Sequence, residues 1–129
     1  MKAPIWIEEH DALVLHDRLL ALHSGAPGLR DDGLLNSALA RSRQHFAYAR
    51  KPHLFALAAL YTSGIVRNHP FVDGNKRTGF LVGILFLELN GYCFTASEED
   101  AAQAIIGMAA GILDDAGYAA FLRANSEAE

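Results

Sequence analysis

One stretch near the middle of the chain, residues 68–79, combines side chains that could act on a phosphate group. In chain order they are His69, Asp73, Gly74, Asn75, Lys76 and Arg77. A neutral imidazole can take a proton from an attacking hydroxyl, a step that contributes about 10²–10⁴ in rate. A carboxylate is a hard oxygen ligand that could hold Mg²⁺ between phosphates, and two adjacent cations can neutralise charge on a phosphoryl group. The spacing therefore predicts a phosphate-chemistry site.

The flanking sequence suggests how these groups are positioned. Gly74 allows the backbone to approach an anion, and Asn75 can hydrogen-bond it. Arg67, just before the stretch, is predicted to bind phosphate with the other cations. Pro70 biases His69 away from helical geometry, so a helix should end at about 69, and the next helix should offer its N-terminus to an anion. A helix C-terminus favours protonated histidine whereas nearby cations favour the neutral form, and the sequence leaves this balance open.

Other phosphate-handling motifs are absent or incomplete. A P-loop is excluded because Asn75 separates Gly74 from Lys76, and there is no HExxH zinc motif. His16-Asp17 is the dipeptide of HD-type metal phosphohydrolases, but the further metal ligands such a site needs are not evident at suitable spacings. We interpret this pair as part of a helix surface or core. A catalytically silent nucleotide-binding module stays open as an alternative.

Composition limits the class of protein. The 129 residues, 51% hydrophobic, predict one domain over 1–129. The single cysteine, Cys93, excludes an intrachain disulfide, favours a cytoplasmic location and is interpreted as a small buried residue. A net charge of −4 argues against a general nucleic-acid binder. The longest apolar run, 79–87, is far short of the ~20 residues of a membrane span, and no signal peptide is evident.

Hydrophobic periodicity and capping residues predict an all-α fold. We expect a compact single-domain bundle of about six or seven helices, with the active-site loop between two central helices. The predicted helices are 7–23, 33–41, 54–68, 80–90, 98–113 and 117–124. We expect an exposed loop over 42–52, a brief extended segment over 92–95, and fraying over 126–129.

The string 69–77, HPFVDGNKR, resembles the signature of the Fic/Doc family, and specifically of its Doc (death-on-curing) branch. Segments 28–39 and 85–91 are also similar to Doc proteins. The resemblance implies a helical enzyme that transfers part of a nucleotide, ATP, to a hydroxyl on a protein. It assigns, by position, the base to His69, the Mg²⁺-associated acid to Asp73, the anion-binding loop to Gly74 and Asn75, and a phosphate contact to Arg77. It also places a flap that docks the target at about 43–52.

Position 76 decides which group is transferred. AMP-transferring members of the family carry glycine there, whereas this chain has Lys76, as Doc does. A long cation at that place implies that the nucleotide binds the other way round, with its γ-phosphate facing His69. The resemblance then implies a protein kinase that phosphorylates a threonine or serine, with translation elongation factor Tu as the suspected target and inhibition of translation as the result. AMP transfer is the alternative.

The resemblance also bears on regulation. Family members that inhibit themselves carry a motif of one Ser or Thr, any three residues, and then Glu-Gly or Glu-Asn. This sequence contains no such motif. Restraint is therefore expected from a separate antitoxin protein acting in trans.

Overall fold

The computed structural model describes residues 2–129, which form six helices and two short strands. In chain order these are α1 (Glu9–His23), α2 (Asp32–Tyr48), α3 (Leu54–Asn68), α4 (Asn75–Leu89), β1 (Tyr92–Phe94), α5 (Glu98–Ala109), α6 (Asp115–Ala124) and β2 (Ser126–Ala128). The predicted all-α fold is confirmed. Within the described residues, no helix is both long and apolar enough to cross a membrane.

Helix α3 is the centre of the fold and packs against α2, α4 and α6. Ten of its residues are buried, so it is covered on nearly every side. Small residues make this packing possible. A Cβ on Gly64 would lie 3.1 Å from the Cα of Ala38 on α2, and one on Gly83 of α4 would collide with the hydroxyl of Thr62. The closely packed pair α3–α4 gives the loop between them a rigid base.

Helix α4 begins at Asn75, earlier than the predicted start at 80. Gly74 is its N-cap residue and has φ of 79°, in the left-handed region that glycine adopts without steric cost. The chain therefore turns sharply at Gly74 and enters the helix at once. As a result, Lys76 and Arg77 belong to the first turn of α4 rather than to a loop.

The predicted loop over 42–52 is wrong for most of its length, because α2 continues to Tyr48. Ser42 is fully buried and donates a hydrogen bond to the carbonyl of Leu57 on α3, at 2.7 Å. Phe46 packs edge-on against Trp6, with ring centroids 5.5 Å apart. A buried serine in place of an apolar residue concealed the helical period of this segment.

The end of the chain is paired rather than frayed. β2 forms an antiparallel ladder with β1, in which Cys93 is opposite Glu127, and β1 confirms the extended segment predicted at 92–95. Cys93 is exposed, which corrects its interpretation as a buried residue. Helix α5 ends at Ala109 instead of 113, because the chain turns at Gly111 with φ of 77°.

Candidate active site

His69 ends helix α3, as predicted, in an unusual backbone conformation. Its φ and ψ are both 53°, in the left-handed region that costs a residue with a side chain roughly 1 kcal/mol or more. Arg30 holds this turn in place: its Nε donates to the carbonyl of His69 at 2.8 Å, and its Nη2 donates to that of Asn68 at 3.0 Å. A cation on the last carbonyls of a helix is electrostatically favourable. Arg30 therefore fixes the position of the histidine.

The segment beside the active-site loop is the connection between α1 and α2, residues 24–31. Leu29 pairs with Phe71 in an isolated antiparallel bridge. The amide of Arg30 donates to the carbonyl of Pro70 at 2.7 Å, and the amide of Val72 donates to that of Gly28 at 3.1 Å. The flap was expected at 43–52, but that range is largely the last turns of α2. The structure instead places 24–31 along the loop.

Asn75 organises the loop from its buried side. Its Oδ1 accepts a hydrogen bond from the amide of Phe71, and its Nδ2 donates to the carbonyl of the same residue, both at 3.0 Å. Since the Phe71 amide can only donate, this fixes which end of the Asn75 side chain is the oxygen. The Nδ2 group then donates its second hydrogen to Nδ1 of His69, at 2.9 Å.

This contact bears on which nitrogen of His69 carries a hydrogen. A nitrogen that accepts a hydrogen bond holds a lone pair, so this contact favours an unprotonated Nδ1. If Nδ1 of His69 were protonated, its N–H group would face the N–H group of Asn75, and this hydrogen bond could not form. Asn75 thus favours the neutral form of His69, the form that can accept a proton.

Asp73 is exposed and its carboxylate is held by backbone amides. Oδ1 accepts from the amide of Gly74 at 2.8 Å, and Oδ2 accepts from that of Ala26 at 3.4 Å. A Cβ on Gly25 would lie 2.8 Å from Oδ2, so a larger residue there would displace the carboxylate. Over residues 2–129, no group of three or more histidine, cysteine or acidic side chains could hold a metal ion. A lone carboxylate suits Mg²⁺, which is commonly bound by one or two carboxylates together with substrate phosphates.

Lys76 and Arg77 are exposed on the first turn of α4. The N-terminal turn of a helix carries a partial positive charge, so two cations there repel it. No carboxylate in the described part of the chain lies within 4.0 Å of either cation. An anion bound at this turn would relieve the repulsion and also meet the free N–H groups of the helix.

These groups share one cavity of about 590 Å³. Its polar wall is formed by His69 and residues 73–77, which brings together all but one of the predicted site residues. Its other wall is largely apolar and comes from α4, β1 and α5, with Phe80, Phe94, Ala101, Ile105 and Ile106. Sequence reasoning missed this second wall because nothing in the pattern of 94–106 indicates that it faces the loop.

Arg67 is the exception among the predicted site residues. Its Nη1 donates to Oδ1 of Asp115 at 3.0 Å, and Arg41 binds the other oxygen of the same carboxylate at 3.2 Å. Arg67 is not among the residues that line the cavity. The structure therefore ties Arg67 to α6 and does not bring it to the cavity.

The His16-Asp17 pair is split by the fold. His16 is buried beneath the loop, and its Nε2 lies 2.7 Å from the backbone carbonyl of Asp73. Asp17 is exposed. Within residues 2–129 no metal-binding cluster forms around this pair, so the structure gives an HD-type phosphohydrolase site no support.

The fold and the site together define a small helical domain that carries a histidine, a carboxylate and a cationic helix N-terminus at the junction of its two central helices. The Fic/DOC family model matches residues 6–87. The chain is 32% identical over 117 residues to a relative named "Protein kinase doc" from Escherichia phage P1, covering 91% of this chain and 92% of the relative. It is 41% identical over 64 residues to "Toxin Doc" from Mycolicibacterium smegmatis, covering 49% of each. The chain belongs to the Fic/Doc family.

Proposed function

We propose that this protein is a Doc-type toxin that transfers the γ-phosphate of ATP to a threonine or serine hydroxyl of a target protein. The names of the two relatives, a protein kinase and a toxin, support this reaction class. The observation that carries the proposal is the cavity itself, where the unpaired cations Lys76 and Arg77 line the same space as His69. Elongation factor Tu is the target that we propose, with inhibition of translation as the result.

In the proposed reaction, the target hydroxyl oxygen attacks the γ-phosphorus while the bond from the γ-phosphorus to the β,γ-bridging oxygen breaks. The hydroxyl proton passes to the imidazole of His69, and ADP leaves with the bridging oxygen. Lys76 and Arg77 neutralise the charge of the phosphate groups in the transition state. The positive first turn of α4 stabilises the same charge.

Mg²⁺ is proposed as the metal that accompanies ATP. Asp73 would hold it, because this carboxylate is exposed at the cavity and its geometry is fixed by two backbone amides. The ion would supply charge neutralisation between neighbouring phosphates.

Lys76 is the reason to propose γ-phosphate transfer rather than AMP transfer, which remains the second candidate. In the first turn of α4 its long side chain takes up volume and adds a charge where a glycine would leave room. ATP labelled at either the α or the γ position, added to a bacterial lysate, tests this directly. Transfer of the γ label to protein supports the kinase, whereas transfer of the α label shows AMP transfer and release of free phosphate alone shows hydrolysis.

Two variants sharpen the experiment. His69→Ala should abolish transfer and toxicity while the far-UV spectrum is unchanged, and a variant as toxic as the parent would defeat the assignment. Lys76→Gly should lower γ-transfer or change the transferred group, so an unchanged γ-transfer rate would contradict the orientation argument. Co-expression with candidate antitoxin proteins tests the further proposal that a separate cytoplasmic partner restrains the toxin.

A further inference from the structure

His16 is a buried polar side chain directly beneath the active-site loop, and the proposed reaction gives it no role. It lies on α1 with 2% of its surface exposed. Its Nε2 is 2.7 Å from the backbone oxygen of Asp73. Because a carbonyl oxygen can only accept, Nε2 must carry the hydrogen. The ring also stacks on that of Phe71, with centroids 3.8 Å apart and an angle of 8° between the planes.

The hydrogen bond from Nε2 of His16 affects the carboxylate of Asp73 through the backbone. By holding the carbonyl of Asp73, His16 fixes the plane of the peptide between Asp73 and Gly74, which is rigid. The amide of Gly74 in that same peptide donates to Oδ1 of Asp73 at 2.8 Å. The hydrogen bond from His16 therefore orients the Gly74 amide that binds the carboxylate of Asp73.

The stacking of His16 on Phe71 affects His69 through Asn75. Phe71 is fully buried, and both of its backbone polar groups are bonded to the side chain of Asn75. Asn75 in turn donates to Nδ1 of His69. Stacking on His16 fixes the position of Phe71. Phe71 in turn fixes the side-chain amide of Asn75, which orients the imidazole of His69. One side chain on α1 thus supports both chemical groups of the loop.

We propose that His16 is a positioning residue that sets the geometry of both Asp73 and His69 through its Nε2–H hydrogen bond and its stacked ring. It contacts no reacting group and takes no proton in the reaction. This inference rests on the proposed function only in assigning the roles of the two residues that it positions. The contacts themselves are independent of which group is transferred.

Two substitutions separate the two contacts. His16→Phe keeps a flat ring against Phe71 but removes the donor, whereas His16→Gln keeps an N–H donor at a position close to Nε2 and removes the ring. Since displacement of a reacting group by about 1 Å can cost about 100-fold in rate, we expect His16→Phe to lower kcat about 10- to 100-fold. His16→Gln should retain more activity than His16→Phe but less than the parent, because it keeps the donor and removes the ring. His10→Phe, on the exposed part of the same helix, is the matched control and should behave like the parent.

The assay measures kcat and KM for whichever transfer the parent catalyses, with thermal unfolding of each variant. His16→Phe with parental kcat would overturn the role of the donor, and folded His16→Gln with parental kcat would overturn the role of the ring. If neither variant folds, ¹H–¹⁵N NMR of the parent decides: hydrogen on Nε2 of His16 supports the proposal and hydrogen on Nδ1 alone refutes it. A parent that transfers AMP would refute the kinase proposal but leave this comparison intact.

Discussion

At the scale of single residues, a hydrogen bond from Asn75 favours a lone pair on Nδ1 of His69. Asn75 can donate to Nδ1 only because its oxygen is already committed to the amide of Phe71. The amide side chain therefore acts as a fixed donor rather than as a group free to rotate. Motif reasoning predicted that Asn75 contacts an anion, whereas the structure shows that its side chain is buried and bonded within the loop.

Asn75→Asp tests this role of the side chain. The substitution keeps an oxygen for the amide of Phe71 but places a carboxylate where a donor faced Nδ1. A neighbouring negative charge stabilises the protonated imidazole, so His69 would no longer accept a proton at neutral pH. We expect at least a tenfold loss of transfer at pH 7, with partial recovery as the pH rises. The measurement is the pH–rate profile of both proteins, and an unshifted acid limb in the variant would contradict the role assigned to Asn75.

The residues that sequence reasoning missed are those that act through backbone groups. Arg30 and His16 contact the carbonyls of His69 and Asp73, respectively. Neither contact leaves a spacing pattern, because the partners are 39 and 57 positions away in the sequence. The motif residues, by contrast, are close in sequence, and a helix–loop–helix junction was sufficient to bring them together. Arg67 shows the converse, since proximity in sequence did not bring it to the cavity.

At the scale of elements, the positions of the helices were predicted well where apolar periodicity was strong. Helix α3 has the predicted bounds, 54–68. Buried residues occur along most of its length and few of them are polar, so the apolar pattern was easy to follow. The start of α4 was missed because Lys76, Arg77 and Thr78 resemble loop residues, and only the left-handed turn at Gly74 determines that the helix begins there. Local backbone geometry of this kind is not visible in a hydrophobic pattern.

Close packing of α3 on α2 gives a prediction about Gly64. A methyl group there would lie 3.1 Å from the Cα and 3.2 Å from the carbonyl oxygen of Ala38, neither of which can rotate away. We expect Gly64→Ala to destabilise the protein by about 1–3 kcal/mol through overpacking. Gly107→Ala is the matched control, because on α5 its nearest neighbour would be at an ordinary 3.7 Å.

In the control, greater helix propensity should stabilise the protein by up to about 1 kcal/mol. Urea unfolding of both variants measures the two effects. If Gly64→Ala were as stable as the parent, the close approach of α2 and α3 would be wrong.

The first turn of α3 gives a prediction about pH. Nδ1 of His53, the N-cap residue, accepts from the amide of Ala56 at 3.1 Å. Partial burial, followed by the charges of Arg123 and His45, lowers the pKa of His53. The folded protein therefore favours neutral His53, and the unfolded chain takes up the proton first as the pH falls below about 6.5. The stability contributed by this cap is present above that pH and is lost on acidification.

His53→Asn isolates the effect, because asparagine is an equally good N-cap residue that does not titrate. We expect similar stability for parent and variant at pH 8, and a smaller loss in the variant between pH 7 and pH 5. Urea midpoints across this range provide the comparison. Parallel curves for the two proteins would show that the cap does not titrate.

At the scale of the whole molecule, one core joins the N-terminal segment to the central helix and to α4. Tyr61 on α3 is fully buried, its hydroxyl accepts a hydrogen bond from the amide of Ile7 at 3.1 Å, and its ring contacts that of Phe86. The tyrosine hydroxyl was not predicted to matter, since a tyrosine in an apolar stripe resembles any other core residue.

Burial raises the pKa of Tyr61 to about 12, against about 10 in an unfolded chain. Between these pH values the unfolded chain releases a proton that the folded protein keeps, so the unfolded state binds fewer protons and stability falls as the pH rises. Tyr61→Phe removes this sensitivity. It also leaves the buried amide of Ile7 without its acceptor, which costs about 1–3 kcal/mol at neutral pH. The variant should therefore be less stable than the parent at pH 7, with a shallower decline above pH 10.

The decline is expected to become shallower rather than to vanish, because burial also raises the pKa of Tyr118. Tyr48→Phe is the control, since Tyr48 is 88% exposed and should change neither the stability at pH 7 nor the alkaline slope. Unfolding free energies from urea titrations between pH 7 and pH 11.5 separate the two contributions of Tyr61. A variant could instead lose stability at neutral pH and keep the parental dependence of unfolding free energy on alkaline pH. The Tyr61 hydroxyl would then ionise as freely in the core as in water, and the N-terminal segment would not shield it from solvent.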